Sequence, residues 1–216
     1  MGATATDGGV PVDGGAPPNV AGDTNAVGGA PPEPCAKPGA RFATTVVEHA
    51  FGAGQSFNQD KFPGPVLGPP EANEPSSVVS LGNGGYVVVA FDENAIIDGP
   101  GADFTVFENA LPTYKELATV AVSEDGETWF EFPCTAPQEG PAYGACAGVA
   151  LVYSSRKNGI DPLDPAVSGG DHYDLSDLGV KRARFVRITD RADLMGGLAD
   201  VFDLDAVAIV NAECVE

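Results

Sequence analysis

From Phe42 onward the hydrophobic positions fall in short runs of five to nine residues, separated by Gly, Pro, Asn and Asp. No apolar period near 3.6 is sustained beyond about two turns, so the pattern predicts strands rather than helices. Expected strands are 42–50, 77–81, 86–91, 104–108, 118–123, 128–132, 149–153, 184–189 and 205–210. In the fifth, Ala118, Val120 and Val122 alternate with Thr119, Ala121 and Ser123, which predicts one buried and one exposed face. Glu124-Asp125-Gly126 is turn chemistry before Thr128 to Phe132, so 118–132 reads as a β-hairpin. Short strands with frequent turns predict an all-β fold, a two-sheet antiparallel β-sandwich of jelly-roll type.

Residues 1–34 have a different texture. They hold eight Gly and six Pro, no aromatic and no basic residue, too little apolar area to offset chain entropy. They are expected to form a disordered tether, and 35–216 the sandwich. Four cysteines, Cys35, Cys134, Cys146 and Cys214, match no metal-binding spacing and favour disulfides in an oxidising compartment. Three pairings are open. The expectation is Cys134 with Cys146 across a short Pro/Gly/Ala-rich loop, and Cys35 with Cys214 joining the two ends of the domain.

The 216-residue chain has 31 acidic and 11 basic residues, a formal charge of -20. That balance repels phosphate backbones and anionic lipid, which argues against nucleic acid and membrane surfaces and favours divalent cations. No apolar run is long enough for a transmembrane helix, and no signal-peptide pattern opens the chain, so an export signal or anchor is expected to be absent from it.

Calcium takes six to eight oxygens from carboxylates, amide side chains and loop carbonyls, and the acidic residues gather where loops are expected. Asn94, Asp98, Asp103, Glu108 and Asn109 form one group; Asp161, Asp164, Asp171, Asp174 and Asp177 a second; Asn58 and Asp60 a third. Asp203 and Asp205 alternate in VFDLDAV, so they are expected to share one strand face, where they repel unless a cation or a basic residue lies between them. The candidate metal ligands are Asp60, Asp98, Asp103, Glu108, Asp171, Asp174, Asp203 and Asp205. Any one of these acids taken alone also suits a solvated loop or an Asx turn, except Asp203 and Asp205, which lie among Val201, Phe202, Leu204, Val207 and Ile209, where an unpaired carboxylate pair would be costly to bury.

Catalytic patterns are thin. His49 and His172 are the two histidines, with no GxSxG, HExxH or phosphate-loop spacing. A Ser-His-Asp arrangement or a carboxylate pair for glycoside hydrolysis would have to assemble in space. Tyr114, Trp129, Tyr143, Tyr153 and Tyr173 join a stacking face to a polar group, as sugar recognition requires. Among them Tyr114, Tyr143 and Tyr173 are the ligand-binding candidates, whereas Trp129 beside a hairpin turn reads equally as a packing residue.

VSEDGETWFEFP (122–133) and ARFVRITD (183–190) resemble the galactose-binding-like jelly rolls of discoidin-type domains and their carbohydrate-binding relatives. The set VVSLGNGGYVVVAF (78–91), DGPGADFTVFEN (98–109), VSEDGETW (122–129), GGDHYDL (169–175) and FDLDAV (202–207) more closely resembles a domain of secreted bacterial and archaeal proteins known as cell surface protein. That resemblance covers about 42–211 and implies an exported β-sandwich. The discoidin resemblance implies a structural calcium between a loop after the first strand and the last strand, where Asp60 and Asp205 match by position, and glycan or lipid-headgroup binding at loop tips. The insertion from Pro133 to Gly148 and the GGDHYDLSDLG loop depart from it. Together these readings give the expected function: a calcium-stabilised extracellular binding module on a microbial cell surface, with carbohydrate as ligand. The alternatives are a structural or adhesive surface protein and a hydrolase.

Overall fold

A computed structural model describes residues 41–215 apart from 55, 73, 110, 111, 113, 136–142 and 196–200. The tether expected at 1–34, and Cys35, lie outside the described residues. Twelve strands are present among the described residues: β1 (Thr45–Ala50), β2 (Val79–Ser80), β3 (Tyr86–Ala90), β4 (Asn94–Ile97), β5 (Phe104–Glu108), β6 (Ala118–Ser123), β7 (Phe130–Glu131), β8 (Asp171–Tyr173), β9 (Arg182–Ala183), β10 (Phe185–Asp190), β11 (Asp203–Ile209) and β12 (Ala212–Cys214). One short α-helix, α1 (Ala192–Met195), and three 3-10 turns complete the described elements.

The strands form a five-stranded sheet, β1-β3-β10-β6-β7, a four-stranded sheet, β2-β11-β5-β8, and a small three-stranded sheet, β12-β4-β9. Every strand pair is antiparallel. Period-two alternation determines which side chains meet between the two larger sheets. Val87, Val89, Val120, Val122, Val186 and Ile188 come from the five-stranded sheet, and Val79, Phe104, Val106, Val207 and Ile209 from the four-stranded one, to make one core. This is the expected two-sheet β-sandwich of jelly-roll type. Phe42, Phe107, Val152, Ala206 and Ala208 form a smaller cluster on the far side of the four-stranded sheet.

Several expectations change. The hairpin forms, with Ala121 opposite Glu131 and Val122 opposite Phe130. Yet all six residues of β6 are buried, including Thr119, Ala121 and Ser123. Their small side chains lie beside taller outward-facing neighbours on β10: Thr189 opposite Thr119, Arg187 opposite Ala121 and Phe185 opposite Ser123. Asn94 and Asp171, read as loop residues, begin β4 and β8. The strand expected at 149–153 is reduced to a single bridge between Val152 and Gly169. Its amides go elsewhere: Gly148, Val149 and Ala150 all donate to the Asp171 carboxylate, at 2.7, 3.2 and 3.0 Å.

Cys134 and Cys146 are bonded as expected. Cys214 is also in a disulfide, and no described cysteine is free. No helix among the described residues is long and apolar enough to cross a membrane.

Candidate functional site

The outer face of the five-stranded sheet carries a shallow groove of about 170 Å³ lined by Glu48, Tyr86, Val88, Trp129, Arg187 and Thr189. Strand register builds it. Glu48 stands opposite Val88, Val88 opposite Arg187, Arg187 opposite Ala121 and Ala121 opposite Glu131, one row across all five strands. Ala50, Tyr86, Thr189 and Thr119 form the adjacent row. The central positions Val88, Ala121 and Thr119 are short and buried, so they make a floor between taller side chains.

The walls of the groove are held in place. The Arg187 guanidinium carbon lies 4.6 Å from the Trp129 ring centroid, within cation–π range. Trp129 Nε1 donates to the Gly126 carbonyl at 3.2 Å, which fixes the indole against the turn. That turn is organised by Asp125, whose Oδ1 accepts from the Glu127 and Thr128 amides at 2.8 and 2.7 Å. These bonds hold the Asp125 carboxyl down at about 2. At the other wall Tyr86 Oη donates to Glu48 Oε1 at 2.5 Å. The site therefore presents two aromatic faces, a cation, a carboxylate and a hydroxyl on a rigid sheet.

The residues expected to bind metal separate into distinct settings. Asp98, Asp103 and Asp174 converge, with ligand atoms within 4.8 Å of one another, the only such triple among the described residues. All three are already engaged. Asp103 is fully buried and accepts from the Gly99 amide and Asn211 Nδ2 on Oδ1, both at 2.8 Å, and from the Leu175 amide on Oδ2 at 2.7 Å. Asp98 pairs with Lys181, and Asp174 accepts from the Ser176 amide as the N-cap of a 3-10 turn. The convergence has a structural explanation: Asp103 ties three loops to the end of the sandwich.

Asp203 and Asp205 do not act as a facing pair. The ladder between β11 and β5 shifts register between Leu204 and Ala206, a bulge that re-aims Asp205. Asp205 accepts from the Glu71 amide at 2.9 Å and the Ala72 amide at 3.2 Å, while Asp203 accepts from Ser80 Oγ. Burial raises both, Asp203 to about 6 and Asp205 to about 7. Asp60 is exposed on the 3-10 turn Gln59–Lys61. Asp171, clasped by three amides, is lifted to about 6 by burial.

Glu108 differs from all of these. It lies at the end of β5, is 2% exposed, and its Oε2 is buried with no hydrogen-bond partner. Its carboxyl hydrogen-bonds to Glu116, a residue not among the candidates read from the sequence. Burial first, then the neighbouring carboxylates, push Glu108 well above the usual range, and burial lifts Glu116 to about 7.

Of the aromatic candidates, Tyr173 is corrected. It is 3% exposed and stacks on Phe104 at 5.0 Å between ring centroids, with Phe132 at 4.8 Å, so it packs the core. Tyr143 sits inside the disulfide loop with φ of 72°, and Tyr114 is exposed. His172 Nδ1 lies 2.9 Å from Thr105 Oγ1, and His49 packs on Phe51 and Phe62. Asp161 and Asp164 each accept an amide two residues on, an Asx turn in both cases. The residues missed in the sequence are Glu48, Tyr86, Arg187 and Glu116. The first three were readable only as outward positions of alternating strands, since their meeting depends on register.

No protein-family model matches the sequence, and no curated protein matches it. Solved structures similar to it include a pectin-binding carbohydrate-binding module, at 12% identity and TM-score 0.40 over 77% of this chain and 89% of that one. Another is CBM32-1 from a family 31 glycoside hydrolase of Clostridium perfringens, at 12% identity and TM-score 0.42 over 80% and 99%. The C-terminal domain of a chitobiase from Bacteroides fragilis aligns at 10% identity and TM-score 0.32 over 61% and 65%.

Proposed function

We propose that the chain is a calcium-stabilised, extracellular carbohydrate-binding module displayed on a microbial surface, and that it takes glycan on the outer face of its five-stranded sheet. The observation that carries this reading is the groove between Trp129, Arg187, Tyr86 and Glu48. A sugar ring offers an apolar C–H face and a rim of hydroxyls. Indole and phenol rings stack on the first, while guanidinium, carboxylate and threonine hydroxyl bond the second. An open groove on a sheet accepts a chain rather than enclosing a small molecule. With a formal charge of -20, the ligand class is neutral glycan, since polyanionic chains would be repelled. The disulfides support an oxidising compartment, and the buried carboxylates supply the oxygen chemistry that calcium uses.

A second reading is adhesion to another protein, favoured by an apolar cleft of about 350 Å³ lined by Phe42, Pro69, Pro70, Ile160 and Leu163, with Arg156 at its rim. Affinity electrophoresis against a panel of neutral polysaccharides, followed by calorimetry on any hit, separates the possibilities. Retardation abolished by Trp129→Ala supports the glycan reading. Binding to no polysaccharide sinks it in favour of adhesion, and release of reducing sugar moves the protein to the hydrolases.

A further inference from the structure

We infer that Asp125, which lies outside the groove, sets the groove's affinity for glycan by orienting the indole of Trp129, with Ser123 as its anchor. This rests on the glycan reading above and names the residues that prepare its site.

The tip of the hairpin between β6 and β7 is five consecutive exposed residues, 124–128, and Trp129 follows at once. Such a tip is a mobile support unless its backbone is tied down. The indole has one polar handle, Nε1, which donates to the Gly126 carbonyl at 3.2 Å. That carbonyl belongs to the same peptide unit as the Glu127 amide, and the amide donates to Asp125 Oδ1 at 2.8 Å. A peptide unit is planar, so fixing its N–H fixes the direction of its C=O. One rigid plane therefore connects the Asp125 carboxylate to the indole.

The preceding peptide unit is held too. The Gly126 amide donates to Ser123 Oγ at 2.9 Å, and that hydroxyl donates to Asp125 Oδ1 at 3.0 Å. Thr128 gives its amide to Oδ1 at 2.7 Å and its hydroxyl to Oδ2 at 3.1 Å. Ser123 is fully buried at the end of β6, opposite Phe185, and its carbonyl accepts from the Arg184 amide at 2.9 Å. The turn is thus footed beside β10, the strand that carries Arg187. Ser123, Asp125 and Thr128 are not among the residues lining the groove, so their effect on a ligand passes through Trp129. An indole already ordered spares the bound state the entropy of ordering it, and releasing one side chain from such order weakens binding about three- to tenfold.

The chain has a single tryptophan, so its fluorescence reports this indole alone. The test measures Trp129 anisotropy and acrylamide quenching in the full chain, beside retardation in gels containing galactomannan, xyloglucan or laminarin. Asp125→Ala is expected to lower the anisotropy, raise the quenching and weaken retardation about three- to tenfold, at a temperature where its unfolding curve shows it folded. Asp125→Asn keeps the Oδ1 acceptor and is expected to restore both readouts. Ser123→Ala added to Asp125→Ala should change little more, since both act through one turn. An Asp125→Ala protein with wild-type anisotropy and quenching would overturn the inference. So would a loosened indole with unchanged retardation, which leaves the glycan reading standing. Retardation lost in Asp125→Asn while its indole stays held would also overturn it, because the carboxylate would then be touching glycan itself. No retardation of the wild type by any of the three polysaccharides would sink the glycan reading, and the affinity claim with it.

Discussion

Arg187 lies across the ring of Trp129, and neither residue belongs to the same strand as the other: Arg187 is on β10, Trp129 in the turn before β7. The pair stiffens a wall that would otherwise be a mobile indole on a hairpin tip. Truncating Trp129 to Ala removes a stacking surface at an otherwise solvent-open groove. Loss of an aromatic anchor costs on the order of 2 kcal/mol, roughly thirtyfold in affinity. Glycan affinity is therefore expected to fall by about that factor in calorimetry, with little change in unfolding temperature. Arg187→Lys should lose most of the same affinity, because ammonium keeps the charge but not the planar stack. Unchanged affinity in both variants would place the glycan elsewhere on the molecule.

How far the sequence exposed this arrangement depends on chemistry that alternation either encodes or does not. β3, β5 and β10 are rich in β-branched or aromatic residues and were legible, as was the part of β11 from Asp205 onward that carries Val207 and Ile209. β8 begins Asp-His and reads as loop. Its first residue is tolerable inside a sheet only because three amides of residues 148–150 converge on it, a long-range fact no local window contains. The same interaction removed the strand expected at 149–153. The acid content of the site was legible as a count of carboxylates, but not its division into loop anchors and the orphaned Glu108. Glu116 carried no signal, since its position depends on the close approach of Gly148 from far along the chain.

The buried acids fix the sign of the pH dependence. Asp171, Asp203 and Asp205 are raised by burial to about 6, about 6 and about 7, so the folded state holds their protons above the unfolded value of 3.8. Such groups contribute stability that is fully present below about pH 4 and is lost as pH climbs through 6 to 7. Asp125, lowered to about 2, acts the other way: its contribution is present above about pH 4 and lost toward pH 2. In chelator the unfolding temperature should therefore peak near pH 4 to 5 and fall toward pH 8. Asp205→Asn should flatten that fall. A transition temperature that climbs steadily from pH 5 to 8 in chelator would contradict the assignment.

Asp103, Asp98 and Asp174 converge, yet they should respond very unequally to mutation. Asp103→Ala strips the partners of Gly99, Leu175 and Asn211 from a site with no water access. Leaving several buried donors unpaired costs about 3 to 5 kcal/mol, roughly a 10 °C drop for a domain of this size. Asp98→Asn gives up one ion pair to an exposed lysine, and Asp174→Asn keeps a side-chain acceptor for the cap, so each should cost under about 1 kcal/mol. Differential scanning calorimetry of the three variants checks this. Equal losses in all three, restored by calcium, are what an ion at the triple would give.

The Cys134–Cys146 bridge closes a loop with a sequence separation of 12 and ties it to a buried end, since Cys146 is 3% exposed and Phe132 fills the core two residues before Cys134. In the chain-entropy account, cross-linking a loop of this length removes about 3 kcal/mol of disorder from the unfolded state. The double variant Cys134→Ser, Cys146→Ser should thus unfold at lower urea, with a free-energy loss of about 2 to 3 kcal/mol. The sheet-face groove does not depend on the bridge, because its lining comes from β1, β3, β10 and the turn at Trp129. Glycan affinity of the variant should match the wild type at temperatures where both are folded. If affinity fell with the bridge, the ligand would have to be touching the disulfide loop, and Tyr143 would return as a contact.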